Sequence, residues 1–206
     1  HVPLAGVSRI VRWIDAAVRA GASIHFTTSV SSAIRVCEAA RGAGVPLDRV
    51  FFALGGEPFS PRRAALFAAA GARTGTLYSM TECGQMGCGC GDAREPDDVH
   101  LMPSKVAFIQ RAVPGRATAP STALLLTTLR ASTAKVMINV ETGDAGVLEQ
   151  RRCGCSAGEM GLDWHLHSIR SYEKLTTEGM HIPGDDLLAL VEDVLPARFG
   201  GTSTDY

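Results

Sequence analysis

Leu47 to Leu54 (LDRVFFAL) ends in an apolar run that stops abruptly at Gly55-Gly56-Glu57-Pro58. A strand without polar alternation has both faces covered, which is the situation of a strand inside a parallel sheet. Helical patterns lie on either side of it. Val7, Ile10, Val11, Ile14, Ala17 and Val18 repeat at helical spacing, with Ser8 or Gly6 able to start the helix and Gly21 to stop it. Ser23-Ile24-His25-Phe26 is short and β-prone, and Thr27-Thr28-Ser29 offers caps for a helix to Ala40, closed by Gly42 and Gly44. Ser60-Pro61 reads as the N-cap and first turn of a helix to Ala70, and Gly75-Thr76-Leu77-Tyr78 as the next strand. This alternation predicts an α/β fold, a parallel sheet with helices on its faces.

After Gly91 the character changes. Lys105–Ile109, Ala123–Thr127 and Lys135–Val140 are strand-like and separated by Pro, Gly, Ala and Thr, and Gly146–Glu149 is a further short strand. Ile169–Thr177 reads as a strand or hairpin. Leu187, Leu188, Leu190, Val191 and Val194 repeat at helical spacing, with Gly184 or Asp185 as cap and Pro196 and Gly200-Gly201 as the end.

The charges narrow the partners. Twenty Lys and Arg stand against 21 Asp and Glu, net −1 and well dispersed, so neither nucleic acid nor an anionic membrane is expected as a partner. No apolar run reaches the ~18 residues of a membrane span, and the start (His-Val-Pro-Leu-Ala) lacks the form of a signal peptide. Both ends read as cuts within a longer polypeptide. The six cysteines include two Cys-x-Cys pairs, Cys88/Cys90 and Cys153/Cys155; spacing this tight favours metal capture over disulfides and a reducing, cytoplasmic location.

Four motifs bear on chemistry. Gly55-Gly56-Glu57-Pro58 exposes backbone at the carboxyl edge of a parallel sheet, where α/β proteins bind ligands, although alone it is an ordinary strand-to-helix turn. Tyr78-Ser79-Met80-Thr81-Glu82 closes the next strand: a Tyr can stack on a heterocycle, a Thr hydroxyl can bond a phosphate oxygen, and a Glu can hold Mg²⁺. Glu141-Thr142-Gly143-Asp144 reads as a turn whose Asp can accept two ribose hydroxyls. The fourth is Arg170-Ser171-Tyr172-Glu173, with Gly179 beyond it. The expectation is that the first two motifs face each other across a nucleotide site. His25, His165, His167 and His181 read as surface or satisfied histidines, with His181 a candidate for lying near substrate.

In this order the four motifs resemble the adenylate-forming superfamily of acyl-CoA synthetases and adenylation domains, nearest its phenylacetate–CoA ligase-like or acyl-protein synthetase-like branch. The resemblance implies that Gly55, Gly56 and Glu57 lie beside adenine and that Tyr78 stacks on it, with Ser79 in place of the usual Gly. It implies Thr81 on the α-phosphate and Glu82 on Mg²⁺, Thr81 and Glu82 being the catalytic pair, and Asp144 and Arg170 on the ribose. Asn139-Val140-Glu141 replaces the family's Arg-Tyr-Arg, and Tyr172 takes the hinge position. Cys37 is expected in the core and Cys83 as a bystander. The same branch implies structural Zn²⁺ held by four of Cys88, Cys90, His100, Cys153 and Cys155, pinning the β-rich half to the nucleotide half.

The implied organisation is an α/β nucleotide-binding part over 1–92, a smaller β-rich subdomain over 93–168, and a hinge with the start of a C-terminal α+β subdomain over 169–206. The implied activity is ATP-dependent activation of a small carboxylic acid, with ATP/AMP and Mg²⁺ as cofactors and CoA or a carrier protein as thiol acceptor. The family's phosphate loop and C-terminal lysine are absent from these 206 residues, so the chain is expected to be an incomplete fragment, inactive alone and a partner of the remaining polypeptide. The alternative is a catalytically inactive, zinc-stabilised α/β binding module.

Overall fold

A computed structural model of the protein describes residues 6–112, 122–171, 175–177, 180–182, 187 and 189–201. The chain forms two compact units, His1–Leu77 and Tyr78–Tyr206.

The first unit runs α1 (Val7–Arg19), β1 (Ile24–Thr28), α2 (Val30–Gly42), β2 (Val50–Leu54) and α3 (Pro61–Ala69) into β3 (Arg73–Met80), whose last residues belong to the second unit. Strands β1, β2 and β3 pair in parallel, with Ile24 opposite Val50 and Phe51 opposite Arg73. Ile24, Val50, Phe52 and Leu54 share one core with Val11 and Ile14 of α1, Ala33, Ile34 and Cys37 of α2, and Phe67 of α3. The described helices therefore cover one face of the three strands rather than both. Right-handed crossovers that step in one direction along a sheet deliver successive helices to the same side. Local sequence sets the helix starts: Ser29 Oγ accepts from Ser32 N at 3.4 Å, and Ser60 Oγ accepts from Arg63 N at 3.2 Å ahead of Pro61.

The second unit is built on antiparallel pairs: β4 (Gly84–Gly89), β5 (Val99–Leu101), β6 (Val106–Ala112), β7 (Thr122–Thr128), β8 (Val140–Gln150) and β9 (Trp164–Ser171), in spatial order β4-β5-β9-β8-β7-β6. Its core gathers Tyr78, Met86, Val99, Leu101, Val106, Leu124, Leu126, Met137 and Leu166. A short α4 (Ser156–Glu159) precedes β9, and Leu175–Thr177 (β10) and Met180–Ile182 (β11) form a hairpin.

Three sequence expectations change here. Lys135–Ile138 form no strand. Asn139 takes a positive φ of 51°, and the hydroxyls of Thr128 and Thr127 accept from Met137 N and Asn139 N, both at 3.0 Å, beside a single backbone bond from Thr128 N to Met137 O. Thr142-Gly143-Asp144 is not a hairpin turn but lies inside β8, where Asp144 pairs with Ser171 and Gly143 supplies a φ of 79°. Helix continues through Pro196, first as a π-helical turn (Leu190–Val194) and then as α5 (Leu195–Phe199); Pro196, which has no N–H to donate, falls where the wider π-helical turn gives way to α geometry.

Phe52 is buried between its strand neighbours and the helices. Phe52→Ala is expected to lower the unfolding free energy by about 3–5 kcal/mol, and Ser60→Ala by about 1 kcal/mol through loss of the α3 cap. Urea unfolding followed by far-UV circular dichroism reads both.

Candidate functional site

In the first unit, the loop after β2 is tied down by its own side chains. Gly55 N donates to Thr28 O at 3.2 Å, which carries the end of β2 alongside the end of β1. Glu57 then reaches back to the first turn of α2. Its carboxylate accepts from Ser31 N at 2.8 Å and from Ser31 Oγ at 2.7 Å, with Arg63 Nη1 at 3.4 Å. Arg63 also donates to Pro58 O at 3.1 Å. A carboxylate at a helix N-terminus satisfies amides that have no intrahelical acceptor and meets the positive end of the helix dipole. The Glu57 side chain thus joins the first turns of α2 and α3, and Gly56 is the exposed part of the Gly55-Gly56 pair.

In the second unit, Tyr78 and Asp144 meet although 66 positions separate them: Tyr78 Oη donates to Asp144 Oδ2 at 2.8 Å. Tyr78 is 8% exposed and its ring lies 6.1 Å from that of Phe108. Burial, then the Asp144 charge and the bond to it, push the tyrosine hydroxyl well above its ordinary range, so it stays a neutral donor. Asp144 is fixed from its own strand as well, its N donating to Thr142 Oγ1 at 3.2 Å.

Thr81 and Glu82 follow β3 and line a cavity of about 390 Å³ together with Lys105, Arg130, Ser132 and Thr133. Lys105 Nζ is anchored by donating to Gln85 O at 2.6 Å, and Arg130 by donating to Ser104 O and Oγ at 3.3 Å each. Two fixed cations, a carboxylate and three hydroxyls make a cavity suited to oxygen-rich anions with a counter-cation. Ser79 is exposed on β3.

Arg170 is held elsewhere. Its Nη1 donates to Asp97 Oδ2 at 3.1 Å and to Ile169 O at 2.7 Å. The same Asp97 carboxylate accepts from Ser168 N at 2.9 Å and Ile169 N at 2.7 Å, where Ser168 has a φ of 53°. Across the ladder Ser171 stands opposite Asp144 and Arg170 opposite Ala145, so Arg170 and Asp144 leave the sheet from opposite faces. Tyr172, Glu173 and Gly179 of the expected hinge, and the side chain of His181, lie outside the described residues.

The cysteine pairs do converge. Donor atoms of Cys90, His100, Cys153 and His165 all lie within 4.8 Å of one another. Cys90 Sγ is 3.8 Å from Cys153 Sγ, which is 3.5 Å from His100 Nε2; Cys155 Sγ lies 3.1 Å from that same nitrogen and 3.4 Å from Cys153 Sγ. Cys88 sits opposite His100 in the β4–β5 ladder and is outside the mutual group. His100 Nδ1 is bonded to Leu162 O at 2.5 Å, which turns Nε2 toward the sulfurs. Burial opposes a charge on Cys155, but the amides of Gly158 and Gly91, with Cys153 and His100, bring its thiol down to about 6; burial, aided by Cys153 and Asp98, pushes the Cys90 thiol up to about 12. These donors suit a soft or borderline divalent cation such as Zn²⁺. All of them lie in the second unit, so a metal here fastens β4, β5, β9 and the loop after β8 to one another rather than one half of the chain to the other.

His165 is the member that sequence reasoning missed. The sequence held only a strand pattern, Trp164-His165-Leu166-His167, shortly after the second Cys pair; its register against His100 is tertiary.

No protein-family model matches the chain, and no curated protein matches it in sequence. Solved structures do match. The McyG A-PCP structure complexed with phenylalanyl-adenylate aligns at TM-score 0.55 and 16% identity, over 93% of this chain and 38% of that one. ATP-bound MatB from Rhodopseudomonas palustris aligns at TM-score 0.52 and 15% identity, over 91% of this chain and 37% of that one. An ATP-bound RpMatB-BxBclM chimera gives TM-score 0.53 at 14% identity, over 91% and 37%. The chain shares its fold with a part of each of these structures. It spans a little over a third of the length of these proteins. Among the described residues, no helix is long and apolar enough to cross a membrane.

Two variants probe the geometry. Tyr78→Phe is expected to cost about 1–3 kcal/mol, because a buried bond to a charged group is lost. The folded protein keeps the Tyr78 proton where the unfolded chain releases it near the ordinary tyrosine value of about 10, so wild-type stability should fall as pH rises above that value. Tyr78→Phe should remove that component of the alkaline loss, and urea midpoints between neutral pH and pH ~11 measure both effects. A Cβ at Gly158 would meet Cys153 O at 2.6 Å and Cys153 Sγ at 2.7 Å, so Gly158→Ala should lower zinc content as read by elemental analysis.

Proposed function

We propose that this chain is the central part of an ATP-dependent acid-activating enzyme. A carboxylate oxygen of the acid would attack the α-phosphorus of ATP, forming an acyl–O–P bond and releasing pyrophosphate. A thiolate, from CoA or a carrier protein, would then attack the acyl carbon and release AMP. The bond between Tyr78 and Asp144 carries this reading. It joins two motif residues far apart in sequence, on the adenylate-forming fold, into one polar element suited to a nucleoside.

Within that chemistry each residue has a separate task. Tyr78 stacks on the base, Gly55 and Gly56 offer backbone to adenine beside Glu57, and Asp144 accepts ribose hydroxyls, while Arg170, tied to Asp97 on the other face of the sheet, leaves the ribose to Asp144. Thr81 donates to a phosphate oxygen. Glu82 is the residue that would hold Mg²⁺, which when bound neutralises phosphate charge. Lys105 and Arg130, lining the cavity with them, supply further positive charge. Such a site works by positioning and by charge placed before the reaction starts. The cysteine–histidine cluster serves as a structural zinc centre, and the cytoplasm, where thiols stay reduced, is its compartment.

A second reading has its own support: the Glu57 carboxylate is committed to the fold, and the metal cluster can stabilise a module that binds without catalysing. Calorimetry with a non-hydrolysable acyl-adenylate mimic separates the two. Binding in the micromolar range, weakened at least about tenfold (~1.4 kcal/mol) by Tyr78→Ala, is expected for the enzyme. No heat from the wild-type protein, or equal binding by the variant, refutes it.

A further inference from the structure

His165 is the histidine whose surroundings the adenylation reading leaves unexplained. It is fully buried, and so is His100, which stands directly opposite it in the β5–β9 ladder with ring centroids 4.1 Å apart. Cross-strand partners point to the same side of a sheet, so both imidazoles face the cysteine loop. Asp98 fixes the ring: its Oδ1 accepts from His165 Nδ1 at 2.9 Å, while its Oδ2 accepts from Arg94 N at 3.0 Å and pairs with Arg151. With the proton on Nδ1, the other ring nitrogen carries a lone pair. That nitrogen, Nε2, is buried with no hydrogen-bond partner. A buried acceptor left unmatched is destabilising, and a carboxylate–imidazole pair with its far nitrogen free is the arrangement that orients histidine on a metal.

We propose that His165 Nε2 is the fourth ligand of the zinc centre, completing a Cys90–Cys153–His100–His165 set, and that Cys155 remains outside as a neighbouring thiol. Two thiolates and two neutral imidazoles balance a divalent cation, which suits a centre whose histidines have no solvent contact. Cys155 stands outside the group of four whose donor atoms all lie within 4.8 Å of one another. Four protein ligands close the coordination sphere, so the centre is structural. The assignment rests on the zinc reading above and is independent of the ligase activity.

Zinc-edge X-ray absorption on the purified chain, prepared without chelators, counts sulfur against nitrogen. Two sulfurs and two nitrogens are expected; three sulfurs and one nitrogen overturn the assignment without any variant having to fold. Competition with a chromophoric chelator supplies the second arm. His165→Ala should weaken zinc binding by at least on the order of 100-fold and Cys155→Ser by less than about threefold, against the 10–100-fold typical of losing an outer-shell partner. Asp98→Asn should fall between them. Wild-type affinity in His165→Ala, or a larger loss in Cys155→Ser than in His165→Ala, refutes the ligand role. Less than about half an equivalent of zinc in the wild-type chain would overturn the zinc reading itself and the His165 role with it, while leaving the nucleotide-binding test unaffected.

Discussion

The pairing of His100 with His165 across β5 and β9 is the constraint on which the interior of the second unit depends. Two imidazoles cannot sit unexposed in a sheet unless each nitrogen has a destination, and the surrounding residues provide them. Leu162 O takes one side of His100, Asp98 one side of His165, and Arg151 holds Asp98 in turn. His100 Nε2 faces Cys155 and Cys153, and the donor atoms of Cys90 and Cys153 lie within 4.8 Å of that of His165, whose unpartnered Nε2 the proposed metal would satisfy. Strand register, loop geometry and buried charge are therefore satisfied together or not at all.

A similar economy operates in the first unit through one carboxylate. Glu57 closes the loop after β2 onto the start of α2, and Arg63 from α3 closes onto the same oxygen. The parallel strands and their helices would pack by hydrophobic burial alone, but the direction in which Gly55-Gly56 leaves the sheet is set by these polar contacts. In the second unit Asp97 plays the corresponding part, gathering two backbone amides and Arg170 at the left-handed Ser168. Each carboxylate trades solvation for several charge-assisted bonds, which is how a buried acid is tolerated.

Much of this was legible in the sequence. The uninterrupted apolar run at β2, the capped starts at Ser29 and Ser60 and the helical periods of α1 and α2 specify local structure, because they act through neighbouring residues and backbone sterics. The likeness of Tyr78–Glu82 and Thr142–Asp144 to nucleotide motifs was legible for the same reason, as short fixed spacings. Strand β4 was not: no strand pattern marks its glycine-rich residues, and Gly87 is small because the Val99 side chain comes within 2.9 Å of where its Cβ would be. Nor was the Thr-Gly-Asp segment, whose turn propensity yields to ladder pairing with β9.

The sequence by itself determined the alternating α/β order of the first unit, the β-rich character of the second, and a stock of cysteines spaced for metal capture. Only the tertiary structure decided which donors meet. Cys90 enters and Cys88 does not, His165 joins from a strand that composition left unremarked, and Tyr78 finds Asp144 while Arg170 turns to Asp97. Cys90 enters because it lies past the end of β4, beside Cys153; for His165 and Arg170 the reason is register. Along a strand, side chains alternate faces with a period of two, so one residue of slip exchanges every partner. Long-range ladder pairing fixes that slip, and no local pattern encodes it.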